Sequence, residues 1–144
     1  MKTSLPLDQH TCFALYSASL AMTKAYKPLL SALHLTYPQY LVMLTLWEKD
    51  ACNISDIGEL LFLDSGTLTP LLKNLEALNY IQRKRSAQDE RCVLIHLTAA
   101  GKALHKKANT LPACIANASG CTIKELADLT SRLQALRTSL QAAM

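Results

Sequence analysis

The chain has few of the residues that loosen a fold. Glycine and proline together number nine in 144 residues, and only 18% of residues are charged, which argues against disorder, collagen-like repeats and a linker-rich architecture. No CxxC pair is available to hold zinc tetrahedrally. His10, His34, His96 and His105 stand at no metal-ligand spacing to the cysteines, so neither a metal nor another cofactor is expected. No apolar run is long enough to span a bilayer and no signal peptide precedes the first helical pattern, so neither membrane insertion nor export is expected. The five cysteines are an odd number without short repeating spacings, which is not a secreted disulfide framework; a reduced, cytoplasmic setting is expected.

What is present is an apolar, helix-patterned chain. Half its residues are apolar, and its length suits one domain burying roughly 70% of its unfolded surface. The net charge of +4 is mild but local. Residues 1–72 carry four bases and six acids, 73–107 eight and three, and 108–144 three and two, giving −2, +5 and +1. The basic middle holds Lys73, the triplet Arg83, Lys84 and Arg85, and Arg91. A charge run of this kind is usually only a solvated face, so its meaning depends on the elements that carry it.

Helical periodicity runs from Leu7 to about Leu33, with Pro28 expected to kink or end it. Thr36 and Gln39 then form a capping box for a second helix to about Trp47. Asn53–Leu61 and about Ser65–Leu78 read as two short helices joined by Phe62-Leu63-Asp64, a helix-turn-helix. The second opens with Ser65, Thr67 and Thr69, small hydroxyl side chains suited to base edges in a major groove and equally to ordinary capping. Strand-like runs at Tyr80–Ser86 and Cys92–Leu97 flank the turn Ala87–Glu90, a hairpin whose first strand carries the basic triplet. Thr98 is expected to cap a long helix to about Ala116, and Thr122 to about Ala143 is the last helix. The expected fold is mainly α with a small β-hairpin wing: a winged helix-turn-helix at about 37–97, flanked by dimerisation helices at 1–33 and 98–144. One domain of all 144 residues is expected.

The hairpin motif Asp89-Glu90-Arg91, followed by Leu97-Thr98-Ala99-Ala100-Gly101, resembles the wing signature of MarR-type transcriptional regulators. Cys12-Phe13-Ala14-Leu15-Tyr16-Ser17-Ala18 and Leu63-Asp64-Ser65-Gly66-Thr67-Leu68-Thr69-Pro70-Leu71-Leu72-Lys73 resemble the organic hydroperoxide resistance repressors of that family. The resemblance implies that Asp89 pairs with Arg91 and directs it to a minor groove. It further implies that Cys12 is the peroxide sensor and that Tyr16, Tyr26 and Tyr37 hydrogen-bond its sulfur. In two-cysteine members a resolving cysteine lies near the end of the fifth helix, where this chain has Asn117. Cys114 and Cys121 flank that position, and Cys121 is preferred because Gly120 and the helix break should leave it more exposed. A one-cysteine route, in which a small external thiol caps Cys12, stays open.

The residues suit this chemistry in part. Cys12, Tyr16, Ser19, Thr23 and Tyr26 share one helical stripe. A free thiol, with a pKa near ~8.5, is only a few per cent ionised at neutral pH and needs help to attack a peroxide. With Asp8 as the cap, Cys12 would end the first turn, where the helix dipole helps weakly. Tyr16 could donate from one turn away; Tyr26 and Tyr37 are too distant in sequence for local contact. His10 reads as a surface residue or as a modulator of Cys12, and Cys52 and Cys92 as structural.

Three functions follow. The leading one is a dimeric repressor of a palindromic DNA operator, not an enzyme, released when organic hydroperoxide oxidises Cys12. Ser65, Thr67, Thr69 and Lys73 would lie at the major groove, with Arg83, Lys84, Arg85, Asp89 and Arg91 at phosphates or the minor groove. The alternatives are a MarR-type regulator relieved by a phenolic or lipophilic ligand, and a cysteine-dependent peroxidase, which usually needs a thioredoxin-like sheet.

Overall fold

The computed structural model describes residues 4–144, whose contacts group into two compact units that divide after Asn109. In the first unit, the long opening periodicity is realised as a 3-10 turn at Leu7–Gln9 followed by α1, Thr11–Ser31. His10, in extended conformation, is the residue at the α1 cap, and it makes no side-chain capping bond. Asp8 therefore lies in the 3-10 turn and does not cap the helix, and Cys12 is the second residue of α1 instead of ending its first turn. Pro28 is carried inside α1, where it removes the N–H that would bond the carbonyl of Lys24 without ending the helix.

The capping box of α2 (Tyr37–Glu48) forms as the sequence suggests. Thr36 Oγ1 accepts from the Gln39 N–H at 3.4 Å, and the Thr36 N–H donates to Gln39 Oε1 at 2.9 Å. The helix-turn-helix comprises α3 (Ile54–Leu61) and α4 (Ser65–Ala77). Asn53 and Asp64 cap them by accepting from the Asp56 and Thr67 N–H groups, each at 2.7 Å. Asn53 is extended, so α3 starts one residue later than its periodicity indicates.

The hairpin is β2 (Ile81–Arg85) and β3 (Val93–Leu97), paired with Ile81 opposite Leu97 and Arg85 opposite Val93. A further strand, β1 (Cys52–Asn53), completes an antiparallel sheet of order β1-β3-β2, with Cys52 opposite Ile95. Two residues are too few to show a period-2 pattern, so β1 leaves no trace in the sequence. Beneath the sheet, Ile57, Leu68, Leu72, Leu75, Ile81 and Ile95 are buried. Each such aliphatic side chain contributes about 1.5–3 kcal/mol relative to exposure, which fixes α4 against the hairpin.

The helix expected from Thr98 to about Ala116 is not continuous: α5 is Ala99–Ala108 and α6 is Leu111–Ser119. Pro112 is the reason. It has no N–H for the carbonyl of Ala108 and its ring crowds that carbonyl, whereas the first turn of a new helix accepts it. The second unit consists of α6 and α7 (Ile123–Ala142), the latter opened by a Thr122–Glu125 capping box. No residue of α7 is buried.

Candidate redox site and nucleic-acid interface

Cys12 is exposed and sits in the first turn of α1, whose N–H groups lack intrahelical acceptors. Its surroundings differ from expectation. Tyr16 is 64% exposed, and among the described residues no hydrogen bond joins Tyr16, Tyr26 or Tyr37 to Cys12. Along α1, Tyr26 is about 21 Å from Cys12 at 1.5 Å per residue, so these two side chains of one protomer do not share a site. His10 is also turned away, its Nε2 lying 2.9 Å from the carbonyl oxygen of Leu5. Within the polar stripe, Thr23 Oγ1 donates to the Ser19 carbonyl at 3.0 Å, so this hydroxyl is satisfied by its own helix.

The structure does bring Tyr26 and Tyr37 together, with ring centroids 5.1 Å apart, and adds Tyr40 at 5.6 Å from Tyr26. Tyr40 also meets Trp47 edge-on at 6.3 Å, and Trp47 stacks on His105 of α5 at 4.8 Å. Sequence reading missed Tyr40, although its three-residue spacing from Tyr37 places both on one helical face. Burial, then the Tyr40 and Tyr37 hydroxyls, push the Tyr26 phenol up to about 12. Burial likewise raises Tyr37 and Tyr40. These phenols therefore remain hydrogen-bond donors throughout the neutral range. The contribution of protonated Tyr26 to stability is intact below pH 10, the ordinary value, and is lost as pH rises through about 12. Tyr26→Phe is expected to flatten the alkaline fall in stability, measured by denaturant unfolding at stepped pH; an unchanged fall would contradict this environment.

Cys114, in α6, is exposed, whereas Cys121 is half-buried. The exposure argument that favoured Cys121 is thus reversed. After Gly120, in the left-handed region at φ 68°, the chain is held rather than freed: the Cys121 N–H donates to Ser119 Oγ at 3.1 Å. Cys52 is buried, its Sγ–H donates to the Lys49 carbonyl at 2.9 Å, and burial pushes its thiol up, all consistent with a structural residue. Cys92 is half-buried at the foot of the hairpin turn.

At the hairpin, strand alternation splits the basic triplet. Arg83 and Arg85 share the face of Ile81, and Lys84 takes the other. Arg83 is anchored to Glu76 of α4, which accepts from its backbone N–H at 3.2 Å and its Nη2 at 3.3 Å. These contacts hold the Glu76 carboxyl below its usual range. Arg85 Nη1 donates to the Glu90 carbonyl at 2.9 Å across the turn. Asp89 accepts from the backbone N–H of Arg91 at 3.0 Å, and among the described residues no ion pair joins it to the Arg91 guanidinium. Asp89 thus shapes the turn on which the exposed Arg91 stands. On α4, Ser65, Thr67 and Lys73 are exposed and Thr69 is half-buried. The Asp64 carboxyl is held below its usual range, first by the backbone N–H of Thr67.

Among the described residues no helix is long and apolar enough to cross a membrane, and no group of three or more His, Cys, Asp and Glu is placed to hold a metal. A helix-turn-helix backed by a three-stranded sheet, with an exposed basic hairpin, defines the winged-helix class of transcriptional regulators. The chain belongs to the MarR/SarA-type family of that class. Residues 24–108 match the family model "Transcriptional regulator SarA/Rot". The chain is 48% identical over 136 residues to the organic hydroperoxide resistance transcriptional regulator of Bacillus subtilis, covering 94% of this chain and 92% of that protein. It is 47% identical to the HTH-type transcriptional regulator TtmR of Methylorubrum extorquens, covering 94% of this chain and 70% of that one. Among solved structures, AbfR of Staphylococcus epidermidis is 33% identical with a TM-score of 0.78, covering 91% of this chain and 90% of that one. AbfR has also been solved reduced on DNA, with a TM-score of 0.74 at 33% identity and the same coverage. Its disulfide form gives a TM-score of 0.61 at 35% identity, covering 87% and 88% of the two chains.

Proposed function

We propose that this chain is a dimeric, redox-sensing repressor that binds a palindromic operator and releases it when an organic hydroperoxide oxidises Cys12. The observation that carries the reading is an exposed thiol in the first turn of a helix whose own Tyr26 lies about 21 Å further along it. A second protomer supplies the tyrosine partners. Phe13, Leu15, Leu20 and Met22 leave α1 with exposed apolar surface, and Ile123, Leu129, Leu133 and Leu140 do so for α7. Pairing such faces between copies would let Tyr26 and Tyr37 of one chain donate to the sulfur of the other.

The chemistry is an ordinary two-electron oxidation. The Cys12 thiolate attacks the distal peroxide oxygen, the O–O bond breaks, the alcohol leaves with a proton, and sulfur keeps one oxygen as sulfenic acid. A second thiol, from Cys114, Cys121 or a small external thiol, displaces the hydroxyl as water and forms the disulfide. The reduced cytoplasm suits this cycle. Oxidised AbfR structures and the name of the Bacillus relative support it. The relatives are transcriptional regulators, and we read this chain as a stoichiometric sensor without turnover.

Oxidation at α1 is transmitted through packing. The aromatic row from Tyr26 to His105 crosses α1, α2 and α5, and Trp47 Nε1 donates to the Gly101 carbonyl at 2.9 Å beside the end of β3. A shift of α1 would thereby change the spacing of the two reading heads.

On DNA, α4 would present Ser65, Thr67, Thr69 and Lys73 to the major groove, while Arg83, Lys84, Arg85 and Arg91, with Asp89 setting the turn, meet backbone or minor groove. Arg91→Ala is expected to weaken operator binding roughly tenfold and lower the salt slope by about 2, one for each protomer, leaving the dimer intact. Binding titrations at several salt concentrations check this, and an unchanged affinity and slope would remove Arg91 from the interface.

A further inference from the structure

A cavity of about 580 Å³ opens between the second half of α1, the turn that follows it and the start of α2. Its size lies within the roughly 300–1,000 Å³ of small-molecule sites. Lys24, Lys27 and Ser31 line it from α1, where spacings of three and four residues stack them on one face. His34 lines it from the turn that closes α1, at a left-handed φ of 60°. In that turn the His34 N–H donates to the Ser31 carbonyl and the Leu35 N–H to the Leu30 carbonyl, each at 3.1 Å. Glycine is the usual residue at the left-handed position of such a turn, and here an imidazole is carried to the cavity instead.

The charge around this cavity has one sign. No Asp or Glu lines it, and among the described residues no ion pair or side-chain hydrogen bond engages Lys24, Lys27 or His34. Uncompensated cations around a concave site concentrate anions and speed their arrival. Tyr37 lines the same cavity. In the dimer proposed for this chain its hydroxyl donates to the Cys12 sulfur of the second protomer, so the cations stand beside the sensor and not at a remote surface.

We propose that the cavity is the recognition subsite for the thiol that caps oxidised Cys12, and that this thiol is a small, peptide-like molecule bearing carboxylates. This rests on the reading of Cys12 as a sensor whose sulfur meets Tyr37 of the other chain. A simple alkyl hydroperoxide is uncharged and gains nothing from two ammonium groups, whereas carboxylates pair with Lys24 and Lys27. The same charges favour the incoming thiol as its thiolate. That thiolate attacks the sulfur of the Cys12 sulfenic acid; an S–S bond forms, the S–O bond breaks, and the hydroxyl takes up a proton and leaves as water. A second molecule of the thiol then attacks the external sulfur of the mixed disulfide and frees Cys12 as a thiolate. Within the chain, Cys121 is half-buried beside a tied backbone, and a diffusible thiol needs no movement of that segment.

The test oxidises the reduced native protein with one equivalent of cumene hydroperoxide, which is neutral, and follows capping of Cys12 by intact mass. Glutathione, with two carboxylates, is compared with its diethyl ester at matched thiolate concentration. The ratio of the two rates cancels any change in Cys12 itself. Native protein is expected to prefer glutathione roughly tenfold, and added salt to erode that preference. Lys24→Gln/Lys27→Gln, a change at two exposed positions, should abolish it. Equal rates for the two thiols in native protein, or a preference that survives the double substitution, would overturn the subsite while leaving Cys12 as the sensor. A disulfide from Cys12 to Cys114 or Cys121 that forms first in excess glutathione would overturn it too. So would a charge preference confined to the oxidation step, seen with a carboxylate-bearing hydroperoxide against its methyl ester, which would assign the cavity to the oxidant. Failure of Cys12 to form a sulfenic acid would overturn the sensor reading, and this inference with it.

Discussion

Cys12→Ser is expected to bind the operator as tightly as the native protein and to hold it after hydroperoxide treatment that releases the native protein completely. The substitution removes the thiolate and replaces it with a hydroxyl of similar size at an exposed position near the start of α1. A surface change of this kind alters stability by within about 0.5 kcal/mol, so folding and dimerisation should be preserved. The hydroxyl does not ionise near neutrality and does not reduce a peroxide, so the response is lost outright. Operator binding before and after treatment, read by fluorescence anisotropy, checks this. A fully responsive Cys12→Ser protein would transfer the sensing role elsewhere and favour a ligand-relieved regulator with Cys12 as a bystander. The corresponding Cys52 and Cys92 variants should respond normally, because one thiol is buried against the Lys49 carbonyl and the other is half-buried in the hairpin.

Gly101→Ala is expected to produce the largest loss of stability of any single methyl addition considered. A Cβ at this position would overlap the carbonyl oxygen of Tyr80 and come within 3.1 Å of its carbonyl carbon and 3.3 Å of the Leu97 side chain. The Tyr80 carbonyl has no freedom to retreat. It accepts from the Thr98 N–H at 3.0 Å, and the Tyr80 hydroxyl donates to the Leu33 carbonyl at 2.9 Å. Gly101 is itself held, its N–H donating to Thr98 Oγ1 at 3.0 Å and its carbonyl accepting from Trp47 at 2.9 Å. Overpacking of a site this rigid costs about 3 kcal/mol, which is a large part of the roughly 5–15 kcal/mol that holds such a domain together. Thermal unfolding at matched protomer concentration should fall by roughly 10 °C. A shift of only a degree or two would mean that α5 slides away from β2 without penalty, and the link from Trp47 through Gly101 to the hairpin would then be too soft to carry a signal.

Those two positions also show what can be read from the amino-acid sequence and what cannot. Elements with strong local signatures appear where the residues indicate: the Thr36–Gln39 capping box, the Thr98 cap of α5 and the β2–β3 hairpin. Their determinants lie within a few residues of one another, so periodicity and capping chemistry suffice. The break between α5 and α6 also has a local cause, Pro112, which the expectation of one helix to about Ala116 leaves out of account. Strand β1 is different. It exists because Cys52 finds Ile95, a partner forty-three positions away, and two residues carry no pattern of their own.

The candidate site divides along the same line. Cys12 and the basic hairpin are visible as residue types in sequence, whereas their partners are not. The pairing of Arg83 with Glu76 and the joining of Tyr40 to the tyrosine cluster depend on contacts between elements. The exposure argument for Cys121 does not hold because it inferred local chain freedom from a glycine, while the actual chain is tied by Ser119. The separation of Cys12 from Tyr26 along one helix agrees with the sequence distance between them, which allows no local contact.

The most direct test of the central claim follows Cys12 oxidation and operator occupancy in the same samples across a hydroperoxide titration. Peptide mass analysis gives the fraction of Cys12 that has left the thiol state, and anisotropy gives the fraction of operator bound. The account predicts that the operator is released in step with Cys12 oxidation, with about one peroxide consumed per protomer and a disulfide from Cys12 to Cys114, Cys121 or an external thiol as the product. Release while Cys12 remains a thiol, or full Cys12 oxidation with the operator still held, would contradict it.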